Sequence, residues 1–375
     1  MLIAKAAALV ILFVVAAPVL TFLGMWVACR SDASNAAPQS PKLEEPSNGS
    51  EEINKIKQSP QGYSRGEDQT YLTLPEWYIV YSADEYGGFL DQNRPSQFPY
   101  FRSIGQYWST YCRVYAITRE DYRFNSGYHL MLIIIGASFS FENGIKGIYE
   151  NTFGRVTEWL SSNELTEEDA YARKVAKEYG DFIHTVPWYE FPFGKKVKEL
   201  WGEMSFGGPN VVRKWERKIA LTLEYGTKSI YAWLLKQGVR SDSPAKDLEI
   251  QARVKNTTGD LLTEEAGVRV VKELNKGSYI VALPRFQAFT DIVPKLARRG
   301  VRFVEIAGND EILVTAIAPG DWEYDLKEGE LVFTMEILTQ PHLKRLAVRT
   351  PIKSLHSVLS DLQSQRAQIE HIYDY

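Results

Sequence analysis

The chain has 375 residues, 45% of them hydrophobic and 24% charged, with a formal net charge of −4. That composition suits a globular body able to bury a core, and the slight acidity argues against a nucleic-acid surface. Two cysteines, Cys29 and Cys112, are too few for a disulfide framework or a thiolate zinc site, so cysteine usage does not report the redox compartment.

The first element in chain order is a membrane anchor over residues 1–30. Ala6 to Ala28 carries no charged side chain, with Lys5 before it and Arg30 after it. A helix of that length crosses the roughly 30 Å hydrocarbon core, and the flanking cations reach the headgroups. Cleavage after Ala33 or Ala37 and lipidation of Cys29 are the competing readings, but the apolar run is longer than a signal peptide needs. Lys5 and the α-amino group put more positive charge on the short side than Arg30 puts on the other. That bias predicts a single-pass protein of a bacterial inner membrane with its folded parts outside the cytoplasm.

Residues 31–70 are rich in Ser, Pro, Asn, Gln, Glu and Lys and read as a disordered tether. Residues 71–240 carry most of the Trp and Tyr in helical spacing and form a helical, aromatic-rich domain. Leu74-Pro75-Glu76 predicts a helix start, and Gln106 to Arg119 presents a Tyr/Trp face. Thr166-Glu167-Glu168-Asp169 reads as a capping box opening a helix to Ile183, which Pro187 closes. From Asn210 to Lys236, the residues Val211, Val212, Trp215, Ile219, Leu223, Ile230 and Leu234 line one apolar helix face. Eighteen residues without fixed charge lie between Arg123 and Glu142. They are expected to form a central buried helix rather than a second span, with Glu142, Lys146 and Glu150 as a solvated stripe after it.

Residues 241–266 read as a polar connector and 267–375 as an α+β domain. Strands over Tyr279–Leu283, Arg302–Ala307, Ile312–Ala318, Leu331–Leu338, Lys344–Arg349 and Ile369–Tyr373 alternate with helices over Phe286–Arg299 and Ser354–Arg366. Phe289, Ile292, Val293 and Leu296 match Leu355, Val358, Leu359 and Leu362 at an offset of 66 positions. Two βαβ units joined by antiparallel strands resemble the ferredoxin-like arrangement, βαβ-ββ-βαβ in one sheet, which speaks to fold and not to chemistry.

No phosphate loop, nucleophile elbow, H-E-x-x-H or C-x-x-C occurs. His129 borders the apolar run, where an unsatisfied imidazole is costly. His184 precedes Trp188, Tyr189 and Glu190 on an aromatic loop. These five are the candidate ligand- or partner-binding residues. Neither histidine sits in a haem-attachment motif, and no cofactor or metal is assigned. The expected role is a binding module for a protein partner or apolar ligand near the bilayer. The competing expectation is an enzyme on a hydrophobic substrate, with His184 and Glu190 as acid–base groups.

Overall fold

The computed structural model describes residues 65–66, 68–162, 164–239, 248–275, 277–323 and 325–374. The expected anchor, and the tether up to residue 64, lie outside the described residues. The chain divides into two compact units. Pro75–Arg113 and Ser126–Ser243 form one; Val114–Asn125 and Pro244–Tyr375, with the described residues up to Leu74, form the other. A helical region is thus followed by two antiparallel four-stranded sheets, an α+β chain.

The helices are α1 (Gln69–Phe89), α2 (Tyr100–Asp121), α3 (Ser126–Tyr149), α4 (Arg155–Leu160), α5 (Glu167–Ile183), α6 (Phe193–Glu203) and α7 (Val211–Val239). A π-helical turn, Glu150–Gly154, joins α3 to α4. The capping box at α5 is as expected: Thr166 Oγ1 accepts from Asp169 N at 3.2 Å, and Asp169 Oδ2 accepts from Thr166 N at 3.2 Å. The start of α1 differs. Pro75 sits inside the helix, which begins at Gln69 because the Asp68 carbonyl takes the Tyr71 and Leu72 amides and Tyr71, Leu72 and Leu74 are buried.

The helical unit is built twice. Glu85-Tyr86-Gly87-x-Phe89 in α1 recurs 93 positions on as Glu178-Tyr179-Gly180-x-Phe182 in α5. The 3₁₀ turns Pro95–Gln97 and Trp188–Glu190 follow at the same separation, then Phe98-Pro99-Tyr100 and Phe191-Pro192-Phe193. The contacts repeat with the residues. Tyr78 donates to Gln106 Oε1 at 3.0 Å and Tyr171 to Glu199 Oε2 at 3.1 Å; Trp108 donates to Ser140 at 2.9 Å and Trp201 to Thr222 at 2.8 Å. The repeats meet reciprocally. A Cβ on Gly87 would lie 3.2 Å from Ala176 O, and one on Gly180 would lie 3.2 Å from Asp84 Cα. That exchange of partners defines a local pseudo-twofold axis between α1 and α5, and only glycine lets the two backbones approach so closely.

The second unit is also duplicated, and here the expectation of one sheet is corrected. Strands β1 (Glu249–Lys255), β2 (Arg269–Asn275), β3 (Ser278–Pro284) and β4 (Arg302–Ile306) form one sheet in the order β2-β3-β1-β4. Strands β5 (Glu311–Pro319), β6 (Glu330–Glu336), β7 (Leu343–Pro351) and β8 (Gln368–Ile372) form the other, in the order β6-β7-β5-β8. Helices α8 (Gly259–Thr263) and α9 (Gln287–Arg298) belong to the first set, and α10 (Leu355–Ser364) to the second. The stretch expected to be a connector therefore holds β1 and α8, and β1 is a central strand paired with both β3 and β4.

The sequence match between the two helices thus marks whole repeats, not halves of one sheet. Equivalent bulges interrupt β1 between Arg253 and Val254 and β5 between Thr315 and Ala316. Val301 N bonds Leu296 O at 3.1 Å beyond α9, and Ala367 N bonds Leu362 O at 2.9 Å beyond α10. Gly300 and Arg366 each supply the left-handed residue that this helix ending requires. Both repeats feed one core: Ile250, Val254, Phe289 and Leu296 share a buried cluster with Val314, Val348, Leu355 and Leu362.

Candidate functional site

The axis of the helical unit carries its charged centre. Glu142-x-Gly144-x-Lys146-x-Ile148-Tyr149 in α3 recurs as Glu224-x-Gly226-x-Lys228-x-Ile230-Tyr231 in α7. The helices run antiparallel, so the motifs pair crosswise, Lys146 with Glu224 at 3.0 Å and Lys228 with Glu142 at 2.6 Å. Lys228 also reaches Glu224 at 3.5 Å. Each lysine lies against the tyrosine of its own repeat, Lys146 at 4.2 Å from the Tyr86 ring centre and Lys228 at 5.2 Å from that of Tyr179. Burial opposes the Glu224 carboxylate, yet Lys146 and Lys228 override it and pull its pKa down to about 2. Burial lifts the Tyr179 hydroxyl to about 12, so it stays protonated. These groups line a cavity of about 100 Å³ with Ser82, Asn143 and Tyr225. That volume takes a few water-sized groups and not an acyl chain or a flat cofactor.

Further charges of α7 turn inward as well. Arg213, fully buried, bonds Asp169 at 2.7 Å, Glu158 at 3.3 Å and Glu216 at 3.0 Å. Arg217 grips Glu150 through two nitrogens at 2.8 and 2.9 Å. The π turn presents Glu150 to it, and a Cβ on Gly154 would push against the Glu150 carboxylate that Arg217 holds. Asp169 is held below the usual carboxylate range: burial opposes its charge, but the bond and charge of Arg213 win. Of the three residues expected in a solvated stripe, Glu150 is buried on Arg217, Lys146 is half-buried on Glu224, and Glu142 is exposed.

The outward side of the same helices is apolar. All seven residues predicted to line one face of α7 are exposed, Leu223 to 66% and Trp215 to 39%. No charged side chain of α7 between Val211 and Lys236 is exposed. On α3, Leu130, Ile134, Phe141, Ile145 and Ile148 are exposed, and Phe153 and Trp159 continue the stripe. The expected central buried helix is therefore corrected. Residues Ser126–Leu160 form a run long and apolar enough to cross a membrane, but only 22% of its most apolar window is buried. The physical reason lies in the neighbours: aromatic α1 and α2 side chains and the ion pairs fill the interior, leaving the aliphatic side of α3 outside.

The candidate residues are placed as follows. His129 is buried, and its Nδ1 shares a 3.2 Å hydrogen bond with the Tyr111 hydroxyl. His184 ends α5, with its ring 6.2 Å from that of Trp77 and its Nδ1 buried without a hydrogen-bond partner. Trp188 stacks on Tyr231 at 5.4 Å and meets Tyr189 at 6.2 Å. Glu190 pairs with Lys236 at 2.8 Å. No hydrogen bond or ion pair among the described residues joins His184 to Glu190. The described residues hold no group of three or more His, Cys, Asp or Glu side chains arranged to hold a metal ion.

No protein-family model, curated protein or solved structure matches the chain. The crosswise ion pairs were missed at the sequence level although their signal was present. The repeated E-x-G-x-K-x-I-Y and E-Y-G-x-F strings, found by aligning the chain with itself, mark both the duplication and the residues on its axis.

Proposed function

We propose that this protein is a membrane-anchored, non-enzymatic interaction module whose contact surface is the apolar outer face of α3 and α7. One observation carries the reading: α7 turns every charge between Val211 and Lys236 away from the outside and leaves that side apolar. Desolvating charges costs several kcal/mol per ion unless each is well paired, so this distribution is costly for a helix whose outer side meets water. Exposed contiguous apolar faces of this kind mark sites of contact with a protein or a membrane. The enzymatic alternative draws little support, since Glu190 is engaged by Lys236 and His184 packs on Trp77.

The predicted anchor and the terminal charge bias support a single-pass placement in a bacterial inner membrane with the folded units outside the cytoplasm. The strand orders, and the β-α-β-β-α-β sequence of the first repeat, support reading each sheet with its helices as a ferredoxin-like fold. Hydroxyl-radical footprinting of the full chain in its native membrane tests the contact surface. Leu223, Trp215 and Ile134 are expected to be modified far more slowly than their exposure allows. Labelling at the rate of free side chains would overturn the reading.

A further inference from the structure

We infer that the partner of the α3–α7 face is the lipid bilayer itself, with both helices lying flat in the interface rather than crossing it. This rests on the reading of that face as a contact surface and names what covers it. Three observations favour lipid over a protein partner. First, α7 offers almost no polar group outward beyond Thr227, Tyr231 and Gln237, whereas protein interfaces carry roughly one hydrogen bond per 100–200 Å². Second, the outward aromatic residues include Trp159, Trp215 and Trp233, the residue type that settles at the boundary of headgroups and acyl chains. Third, the predicted anchor ends near Ala28 and the described residues begin at Arg65, so the short length of chain between them tethers the folded part within reach of the bilayer. The helical unit is thereby kept at a bilayer surface whatever else it meets.

Flat placement follows from the neighbours of α7. Helix α5 runs beside it, tied by Asp169 to Arg213 and by Glu168 to Lys218 at 3.7 Å, and exposes Lys174, Lys177 and Asp181. A spanning α7 would carry those charges toward the hydrocarbon, where unpaired ionised side chains are strongly disfavoured. The helix Ser126–Leu160 measures roughly 50 Å over its 35 residues and carries Lys146, Glu150, Arg155 and Glu158 in its second half, so its full length does not fit a roughly 30 Å core. An interfacial helix pair with its apolar side about 5–10 Å deep satisfies both constraints.

The test uses the full chain in phosphatidylcholine vesicles whose acyl chains carry bromine either near the headgroup or near the terminal methyl. Intrinsic fluorescence is expected to be quenched more by the shallow bromine, and Trp159→Phe, Trp215→Phe and Trp233→Phe are each expected to remove part of that quenching. Trp26 of the predicted anchor contributes the same background to every variant. Stronger quenching of Trp215 by the deep bromine would mean that α7 crosses, and would overturn the inference. Loss of no quenching in any variant, with the face still protected from radicals, would mean that protein covers it. The bilayer assignment would then fall while the contact surface stands. Neither quenching nor protection would overturn both.

Discussion

At the scale of single residues, the axis of the helical unit places Glu224 between two lysines, all three half-buried. Its depressed pKa makes it a stabilising carboxylate. The folded value, about 2, lies below the ordinary 4.5, so its contribution is complete above pH 4.5 and is lost as pH falls toward 2. Glu224→Gln leaves Lys146 half-buried against Tyr86 without its partner, and is expected to cost about 3 kcal/mol. The pH dependence separates this from a packing defect. Urea melts should show the deficit at pH 7 shrinking as pH approaches 2. A deficit that stays constant between those limits would remove the ion pair as its cause.

At the scale of elements, what was legible in the sequence depended on whether local pattern and tertiary environment agreed. The α5 cap was legible because Thr166 and Asp169 satisfy each other within one turn. Strands β3 to β8 were legible because apolar runs between turn residues read alike in any sheet. Strand β1 was not, since Glu249, Gln251 and Arg253 alternate with Ile250, Ala252 and Val254 in a polar stretch. Helix α7 was found with its apolar stripe, but the stripe faces outward, which periodicity alone does not reveal. The aromatic loop at Trp188 was legible as irregular, and its true character is one of two equivalent 3₁₀ turns. The reciprocal glycines give this scale its prediction. Gly87→Ala and Gly180→Ala both press a methyl onto backbone across one helix crossing, and each is expected to cost about 1–3 kcal/mol. Because a single shift of α1 against α5 relieves both, the double variant should cost less than the sum. Gly105→Ala, on α2 with nothing near its Cβ, should be neutral or stabilising. Additive losses in denaturant titrations would refute the shared crossing.

At the scale of the whole molecule, the second unit does not close a core from one repeat. In the second unit the buried cluster runs from Ile250 to Ile372 through both sheets. The repeats are also pinned to one another, with Asp374 after β8 accepting from Arg285 Nε and from Phe286 N at the start of α9, each at 3.0 Å. His371 of β8 shares a 3.0 Å hydrogen bond with Thr290 of α9. Beginning at Gly267, which the sequence suggested as a boundary, removes β1 from between β3 and β4 and takes Ile250, Ala252 and Val254 out of the core. Losing those side chains forfeits roughly 1.5–3 kcal/mol for each of the two larger ones, and the two exposed strand edges add the loss of both ladders. A chain of residues 248–375 keeps both sheets whole, although it lacks the Thr70 hydroxyl that accepts from Leu313 N at 3.0 Å. It is expected to give a β-rich circular dichroism spectrum and one cooperative thermal transition, at a lower midpoint than the longer protein. Residues 267–375 should show neither. A cooperative transition from the shorter chain would mean that the second repeat closes a core without the first, and the shared cluster would lose its role as the unit of folding.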